Sequence, residues 1–457
     1  MPVTARELAF RILSRWYNLA EPPFLPERGD VEWQELSPRD RAFAFDLLTG
    51  VMRRRGTLDV LIAAQLRQPL DTLDLPVRVL LWIGAYQLLF QSGTAAYAAV
   101  DSTVDLAKSL RQTAKAGGLV NAVLRGITRL HPQAAPRATM ARSRRAFPLD
   151  FTSAITLSRD LFPNPHAAPD AYLAATTSHP ASYAGHLRKL FGDAQAELLL
   201  IRNNLRPTIT FRVDADSLDA PASAGLAPHS EAARFVVAAE GWNTAIESLV
   251  ARGILSPQDP TAAKAVRWLA GKGESPKTIL DWCAGLGTKT LQLARAFPDA
   301  TVTATDVDHP KLSRLEARAR QVKQANIAVR AMPTFVDNAD TFDLVLVDVP
   351  CSNTGVMAKR VQSRWRWSTL DHVTLHALQA KLLQQAAARL APGGLLVYST
   401  CSIDPGENER ILESRPATGA FSGDFSKVHE ENTLPSLSDD PLATHDGGYF
   451  CVLRRST

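Results

Sequence analysis

The 457-residue chain holds only four cysteines, Cys283, Cys351, Cys401 and Cys451, too few and too scattered for a disulfide framework or a zinc knot. No apolar run reaches the roughly 20 residues that a membrane-spanning helix needs. The opening Met1-Pro2-Val3-Thr4-Ala5-Arg6-Glu7 lacks the apolar core of a signal peptide. These absences exclude a disulfide-stapled or membrane-embedded architecture and predict a cytoplasmic protein. Charge of one sign is also scarce. A net charge of +5, with a pI of about 9.0, mildly favours a polyanionic partner but is small for the length. There is no internal repeat. What remains, 46% apolar and 21% charged residues, describes a globular chain long enough for two or three cores.

An all-helical front precedes an alternating back. Residues 4–130 follow helical periodicity, through Leu8, Phe10, Ile12 and Trp16, then Phe43, Phe45, Leu47, Leu48 and Val51, then Val79 to Phe90, with no strand-like alternation between them. Residues 131–180 carry seven prolines (132, 136, 148, 163, 165, 169 and 180) and the arginines Arg137, Arg142, Arg144 and Arg145, which predicts a linker with exposed charge. A small unit follows, helical from His186 to Arg202 and strand-like from Thr208 to Val213. From about residue 240 strands and helices alternate. The expected fold class is therefore α/β, a mostly parallel doubly wound sheet behind an all-α domain and a small α+β connector. The expected boundaries are 1–135, 136–238 and 239–457.

Within the alternating part, Thr278-Ile279-Leu280-Asp281-Trp282 reads as a strand, and the turn Cys283-Ala284-Gly285-Leu286-Gly287 leads through Thr288 and Lys289 into a helical pattern. A strand, a glycine turn and a helix form an entrance for a cofactor, because Gly285 and Gly287 permit close backbone approach. Two common alternatives fail for want of glycine. A phosphate-cradling loop needs glycine where Thr288 stands, and a dinucleotide-binding turn needs a third one after Gly287. The next strand, Thr301 to Thr305, ends in Asp306, about twenty residues on, where a carboxylate can accept both ribose hydroxyls of an adenosine. Asp308 shares that loop, and Asp308-His309-Pro310 also fits a helix cap followed by proline.

Two further segments each set a cysteine just past an apolar run: Leu344 to Val347 before Asp348-Val349-Pro350-Cys351, and Leu395 to Tyr398 before Ser399-Thr400-Cys401-Ser402. In an open parallel sheet, reacting groups gather beyond the carboxyl ends of the strands, so neighbouring strands would bring these thiols into one cleft. Such a pair points to covalent chemistry. The competing reading is two small buried fillers.

The whole order resembles the RsmB group (Sun, Fmu) of bacterial RNA cytosine-5 methyltransferases, within the NOL1/NOP2/Sun family. The front half is similar to the RNA-binding helical domain NusB through Gly84-Ala85-Tyr86-Gln87-Leu88-Leu89 and Gly117-Gly118-Leu119-Val120-Asn121-Ala122-Val123-Leu124-Arg125. The small unit matches through Asn203-Asn204, Arg206-Pro207 and Arg212-Val213. The back half matches through Gln258-Asp259, the Asp281 turn, Asp306, Asp348 to Ser352 and Thr400 to Ser402 with Glu407-Asn408-Glu409.

The resemblance implies S-adenosylmethionine as cofactor and RNA, ribosomal in this group, as substrate, with no metal and no membrane. It also implies a monomer. It assigns nucleophilic addition to Cys401 and proton removal with product release to Cys351, an order that sequence alone does not give. Adding a thiolate at carbon 6 activates an otherwise unreactive carbon 5. A free thiol has a pKa of about 8.5, so Cys401 needs nearby positive charge, for which Lys289 is the expected source. Asp348 is expected at the buried floor of the cleft, holding the base. The cofactor would lie against Cys283, Ala284, Gly285, Leu286, Gly287, Lys289, Asp306, Asp308, Met332 and Asp348. The run from Lys359 to Trp367, with Lys359, Arg360, Arg364, Arg366 and two indoles, can grip phosphate and stack bases, or can simply pack its tryptophans on the core.

Three positions depart from the family pattern. The turn Gly285 to Thr290 lacks the family's proline and one glycine, Met332 stands where the family has an aspartate, and Ala358-Lys359-Arg360-Val361 replaces Arg-Arg-His-Pro. A non-catalytic RNA-binding relative is therefore one alternative. A nicotinamide-dependent dehydrogenase on a similar sheet is another, and it has no use for paired cysteines.

Overall fold

A computed structural model describes residues 3–18, 31–91, 93, 95–137, 142–214, 219–239, 241–332, 340–367, 370–413 and 425–457. The chain divides into two compact units, Met1–Leu205 with Arg360–Ser368, and Arg206–Lys359 with Thr369–Thr457.

The first unit is built on helices Ala5–Tyr17, Pro38–Ala63, Leu75–Phe90, Ala96–Ser109 and Gly117–Thr128. Their starts are encoded locally. Thr4 accepts a hydrogen bond from the Glu7 amide (3.2 Å), and Ser37 accepts one from the Asp40 amide (3.1 Å) ahead of Pro38 at the first turn. Leu8, Phe10, Leu47, Leu48, Val51, Val79 and Leu80 are buried, as their spacing predicts, whereas Phe45 faces outward.

The expected linker is not one. Gln133–Pro136, Ala146–Pro148 and Ser153–Thr156 form an antiparallel sheet with Ser153–Thr156 in the middle. Pro136 and Pro148 end the two edge strands, where a missing amide costs little. The arginines are paired rather than free: Arg137 and Arg142 converge on Glu197 at 3.0 and 2.7 Å, and Arg145 meets Asp160 at 2.5 Å. Helices Pro169–Thr177 and Ala181–Arg202 complete this stretch.

The second unit opens with a four-stranded antiparallel sheet, ordered Ala227–Pro228, Phe235–Ala238, Ile209–Val213, Leu255–Pro257. Leu255–Pro257 pairs with Ile209–Val213, so the parallel sheet begins only at residue 278, later than the alternation predicts. Its strands are β1 (Thr278–Asp281), β2 (Thr301–Asp306), β3 (Ile327–Ala331), β4 (Phe342–Asp348), β5 (Leu390–Thr400), β6 (Phe425–Thr433) and β7 (Gly448–Arg455). They are ordered β3-β2-β1-β4-β5-β7-β6, with β7 antiparallel to both neighbours and the other pairings parallel.

Covering helices include α1 (Thr288–Ala296), α2 (His309–Gln321) and α3 (His372–Ala387). Val345, Val347, Leu396 and Tyr398 enter one apolar cluster with Trp282 and Leu383. Leu344, Leu346, Leu395 and Val397 enter another with Ile279, Leu293 and Phe297. Both faces are thus buried, and this is why the strands read as continuous apolar runs. Chain order reverses between β1 and β4, which opens a crevice at their carboxyl ends.

Candidate active site

Strands β4 and β5 run parallel with Val347 opposite Tyr398 and Asp348 opposite Ser399. Cys351 lies three residues past the end of β4 and Cys401 one past the end of β5. Their Sγ atoms are 2.8 Å apart, and both cysteines are free. The Cys401 thiol also faces Asn353 Oδ1 at 3.4 Å. The hydrogen bond with Cys401, reinforced by burial, raises the Cys351 pKa well above that of an ordinary thiol. The remaining cysteines are inert by comparison. Burial pushes the Cys283 thiol up, and Cys451 is fully buried on β7.

Lys289, in the first turn of α1, crosses the crevice to Asp348 with Nζ–Oδ2 at 2.6 Å. Burial opposes its charge, but Asp348 and then Cys401 more than compensate, and the net shift is upward, so Lys289 is a permanent cation beside the thiols. It also lines, with Cys401, Thr261, Lys264 and Tyr449, a cavity of about 40 Å³, room for a water but not for a base. Asp348 differs from expectation. It ends β4 at the mouth of the cleft with 34% of its side chain exposed, rather than lying on the floor.

The glycine turn has Gly285 at φ +55° and Gly287 at φ +81°, both in the left-handed region. A Cβ on Gly287 would stand 2.0 Å from Leu315 Cδ1 of α2, whereas one on Gly285 would meet nothing within 4 Å. The first glycine keeps its side open and the second lets α2 pack. Asp306 binds the turn, accepting from the Gly285 amide at 2.8 Å through one oxygen and from the Asp308 amide at 2.8 Å through the other. Asp308 caps α2, taking the Lys311 amide at 3.1 Å and its ammonium at 2.9 Å; these contacts hold its carboxyl low. Ala284 is buried and Leu286 is 51% exposed. Met332 is buried in the apolar cluster that includes Leu280 and Trp282.

Beneath this turn, Asp281 is 1% exposed. Its Oδ2 accepts from Thr290 Oγ1 at 2.7 Å, while Oδ1 has no hydrogen-bond partner among the described residues. Burial pushes its pKa up to about 7, against the lowering effect of Thr290.

A family model described as 16S rRNA methyltransferase RsmB/F matches residues 267–419, which hold the glycine turn and both cysteine loops, and a model of the NusB family matches residues 3–129. The chain thus carries an RsmB/F methyltransferase domain behind a NusB-family domain. It is 29% identical over 423 residues to a ribosomal RNA small subunit methyltransferase B of Cronobacter sakazakii, covering 91% of this chain and 90% of the relative. It is 28% identical over 443 residues to the protein of that name in Vibrio cholerae, covering 92% and 91%. Among solved structures, PH0851 superposes with a TM-score of 0.70 at 19% identity over 99% of both chains. A methyltransferase homologue from Pyrococcus horikoshii gives 0.51 at 19%, covering 64% of this chain and 99% of that one.

The basic run is arranged differently from the sequence expectation. Lys359 does not face outward. Its ammonium is held by Asp259 at 2.7 Å and Asp446 at 2.8 Å, both carboxylates buried. Arg364, 0% exposed, donates to the carbonyl oxygen of Arg53 (2.8 Å), to Asn204 Oδ1 (2.6 Å) and to the Asn203 carbonyl oxygen (2.5 Å). Trp365 donates to the Met52 carbonyl oxygen at 2.7 Å, and Trp367 packs on Tyr183 and His186. Arg360 is exposed and Arg366 half-buried. The tryptophans thus pack on the protein's own groups, and Lys359 and Arg364 are engaged with the protein's own acceptors where contact with phosphate was expected.

Sequence reasoning missed Asp281 as a buried, half-satisfied acid, and it missed Asn353, which sits beside Cys401 at φ +62°. It quoted Glu407 and Asn408 only as part of a matching phrase. A carboxylate beside an amide in a run dense in serine and threonine was the available signal for a buried network.

Proposed function

We propose that this protein is an S-adenosylmethionine-dependent cytosine-5 methyltransferase acting on ribosomal RNA through a covalent cysteine adduct. The observation that carries the reading is the pair of thiols 2.8 Å apart, beside the Lys289–Asp348 ion pair, at the carboxyl ends of β4 and β5. The names of the relatives support ribosomal RNA of the small subunit as the substrate class.

The residues around the glycine turn fit the methyl donor. Gly285 offers an open face, Asp306 a carboxylate in reach of hydroxyls, and the orphaned Asp281 Oδ1 a place for positive charge. When bound, S-adenosylmethionine supplies an electrophilic methyl group and a second positive charge.

The chain's own groups do the rest. Lys289 stabilises the Cys401 thiolate, whose sulfur bonds to carbon 6 of a base swung out of its stack, moving an electron pair toward carbon 5. Asp348 accepts from the exocyclic amino group and fixes the ring's orientation. After methylation, Cys351, which gives its own proton to solvent once Cys401 is bonded to carbon 6 and no longer faces it as a free thiol, takes the carbon-5 proton as thiolate, the carbon 6–sulfur bond breaks, and Cys401 leaves with its electron pair.

The experiment is a pair of variants. Cys351→Ala should accumulate a denaturation-resistant protein–RNA complex, and Cys401→Ala should abolish both complex and methylation. A Cys401→Ala protein that still methylates would overturn the assignment.

A further inference from the structure

The loop after β4 and the loop after β5 hold their thiols 2.8 Å apart with both cysteines free. Glu407, which is 0% exposed, bonds to both loops. Its Oε2 accepts the Ser352 amide at 2.8 Å and Gln379 Nε2 of α3 at 3.0 Å, and its Oε1 accepts Ser402 Oγ at 2.6 Å and Ser352 Oγ. Ser352 follows Cys351, and Ser402 follows Cys401. Thr354 Oγ1 lies 2.8 Å from Ser402 Oγ and takes the Ile403 amide at 3.0 Å, so the two loops are also laced to each other. The Glu407 main chain is fixed in turn, because its carbonyl oxygen accepts from the Tyr398 hydroxyl at 2.7 Å. Next to it, Asn408 accepts from Thr400 Oγ1 at 2.6 Å and donates to the Ser402 carbonyl oxygen at 3.0 Å.

We propose that Glu407 is a positioning residue whose buried carboxylate clips the Cys351 loop to the Cys401 loop and so sets the separation and mutual orientation of the two thiols. Four donors converge on it, from three elements, and an ionised carboxylate offers about four acceptor sites and no proton. A glutamine would turn an N–H toward donors from Ser352, Ser402 or Gln379, leaving buried groups unpaired. The partners of the carboxylate are the serines that follow the thiols, so its effect on chemistry passes through loop geometry. The inference rests on the reading of Cys351 and Cys401 as the reacting groups.

The test compares the wild-type protein with Glu407→Gln in two assays. The first uses phenylarsine oxide, which condenses with two adjacent thiols with loss of water and bridges them only at short separation. The wild type should bind one equivalent through Cys351 and Cys401, and Glu407→Gln should bind it at least tenfold more weakly, while S-adenosylmethionine affinity by calorimetry is unchanged. The second is RNA methylation, where kcat should fall by about 10²-fold, the cost of misplacing a reacting group by around 1 Å, with KM for RNA preserved. Tight bridging together with wild-type kcat in Glu407→Gln overturns the proposal. Should Glu407→Gln fail to fold, the Ser352→Ala/Ser402→Ala variant retains the carboxylate and its Gln379 contact. That variant should still lose bridging and kcat, and wild-type values in it also overturn the clip. A wild-type protein that binds the arsenical but never methylates RNA counts against the proposed function and not against the clip.

Discussion

Asp281→Asn should make the catalytic unit more stable above neutral pH, and the size of the gain follows from the burial of one carboxyl. Asp281 moves from an ordinary value of 3.8 to about 7 in the folded protein, with burial as the main cause. Three pKa units correspond to about 4 kcal/mol of differential interaction. Between pH 3.8 and about 7 the folded state holds a proton that the unfolded state has released, so stability falls as pH rises through that window and is flat above it. Asparagine carries no charge, and its carbonyl oxygen can keep the Thr290 hydrogen bond. The variant should therefore match the wild type near pH 4 and exceed it by up to about 4 kcal/mol at pH 8, an upper bound because a charged site relaxes and admits water. Urea midpoints of the catalytic-unit transition, taken from pH 5 to 8 in both proteins, give the comparison. Binding should move the other way. A cationic ligand facing the orphaned Oδ1 favours the ionised form, so wild-type affinity for S-adenosylmethionine should rise with pH through 7, with proton release measurable in buffers of different ionisation enthalpy. Stability curves that stay parallel across the window would refute the reasoning.

Gly287→Ala should destabilise the catalytic unit by about 1–3 kcal/mol, since it combines a left-handed backbone with overpacking against Leu315, and thermal melting checks it. Gly285→Ala meets no neighbour, so it should cost about 1 kcal/mol of backbone strain and be felt chiefly as weaker S-adenosylmethionine binding by calorimetry. Lys359→Met strands the buried carboxylates of Asp259 and Asp446 and should cost about 3–5 kcal/mol in urea unfolding. The salt dependence of RNA binding should not change in that variant, because the ammonium is already spent inside the protein; a slope reduced by about one would show that it contacts phosphate after all.

Legibility followed the range of the forces involved. The strands before Asp348 and Cys401 could be read because sheet burial on both faces leaves an unbroken apolar run, and the convergence of their thiols followed from parallel neighbours. The Asp308 cap was equally plain, being a contact three residues long. The region around residues 133–157 was misread because composition registers proline and arginine but not their partners: Glu197 lies 60 residues from Arg137. Lys359 failed for the same reason, its acids lying 100 and 87 residues away. An arginine-rich, tryptophan-rich run looks alike whether its cations meet phosphate or main-chain oxygens, and only tertiary contacts decide.

The charge balance of the crevice argues for one class of ligand over another. Asp281, Asp306 and Asp348 stand at the carboxyl ends of β1, β2 and β4, and Lys289 offsets one of them. With all three ionised the crevice carries two uncompensated negative charges, and burial, with Asp348 adding to it, pushes the Asp281 pKa up to about 7. A nicotinamide dinucleotide would bring a pyrophosphate to this turn and raise that repulsion, and the turn has no third glycine to receive it. S-adenosylmethionine brings a sulfonium and an ammonium against a single carboxylate, and its net positive charge offsets part of this excess. The same anions that disfavour a dinucleotide therefore favour a cationic donor, on the sheet edge that also carries the two thiols proposed to activate the base for its methyl group.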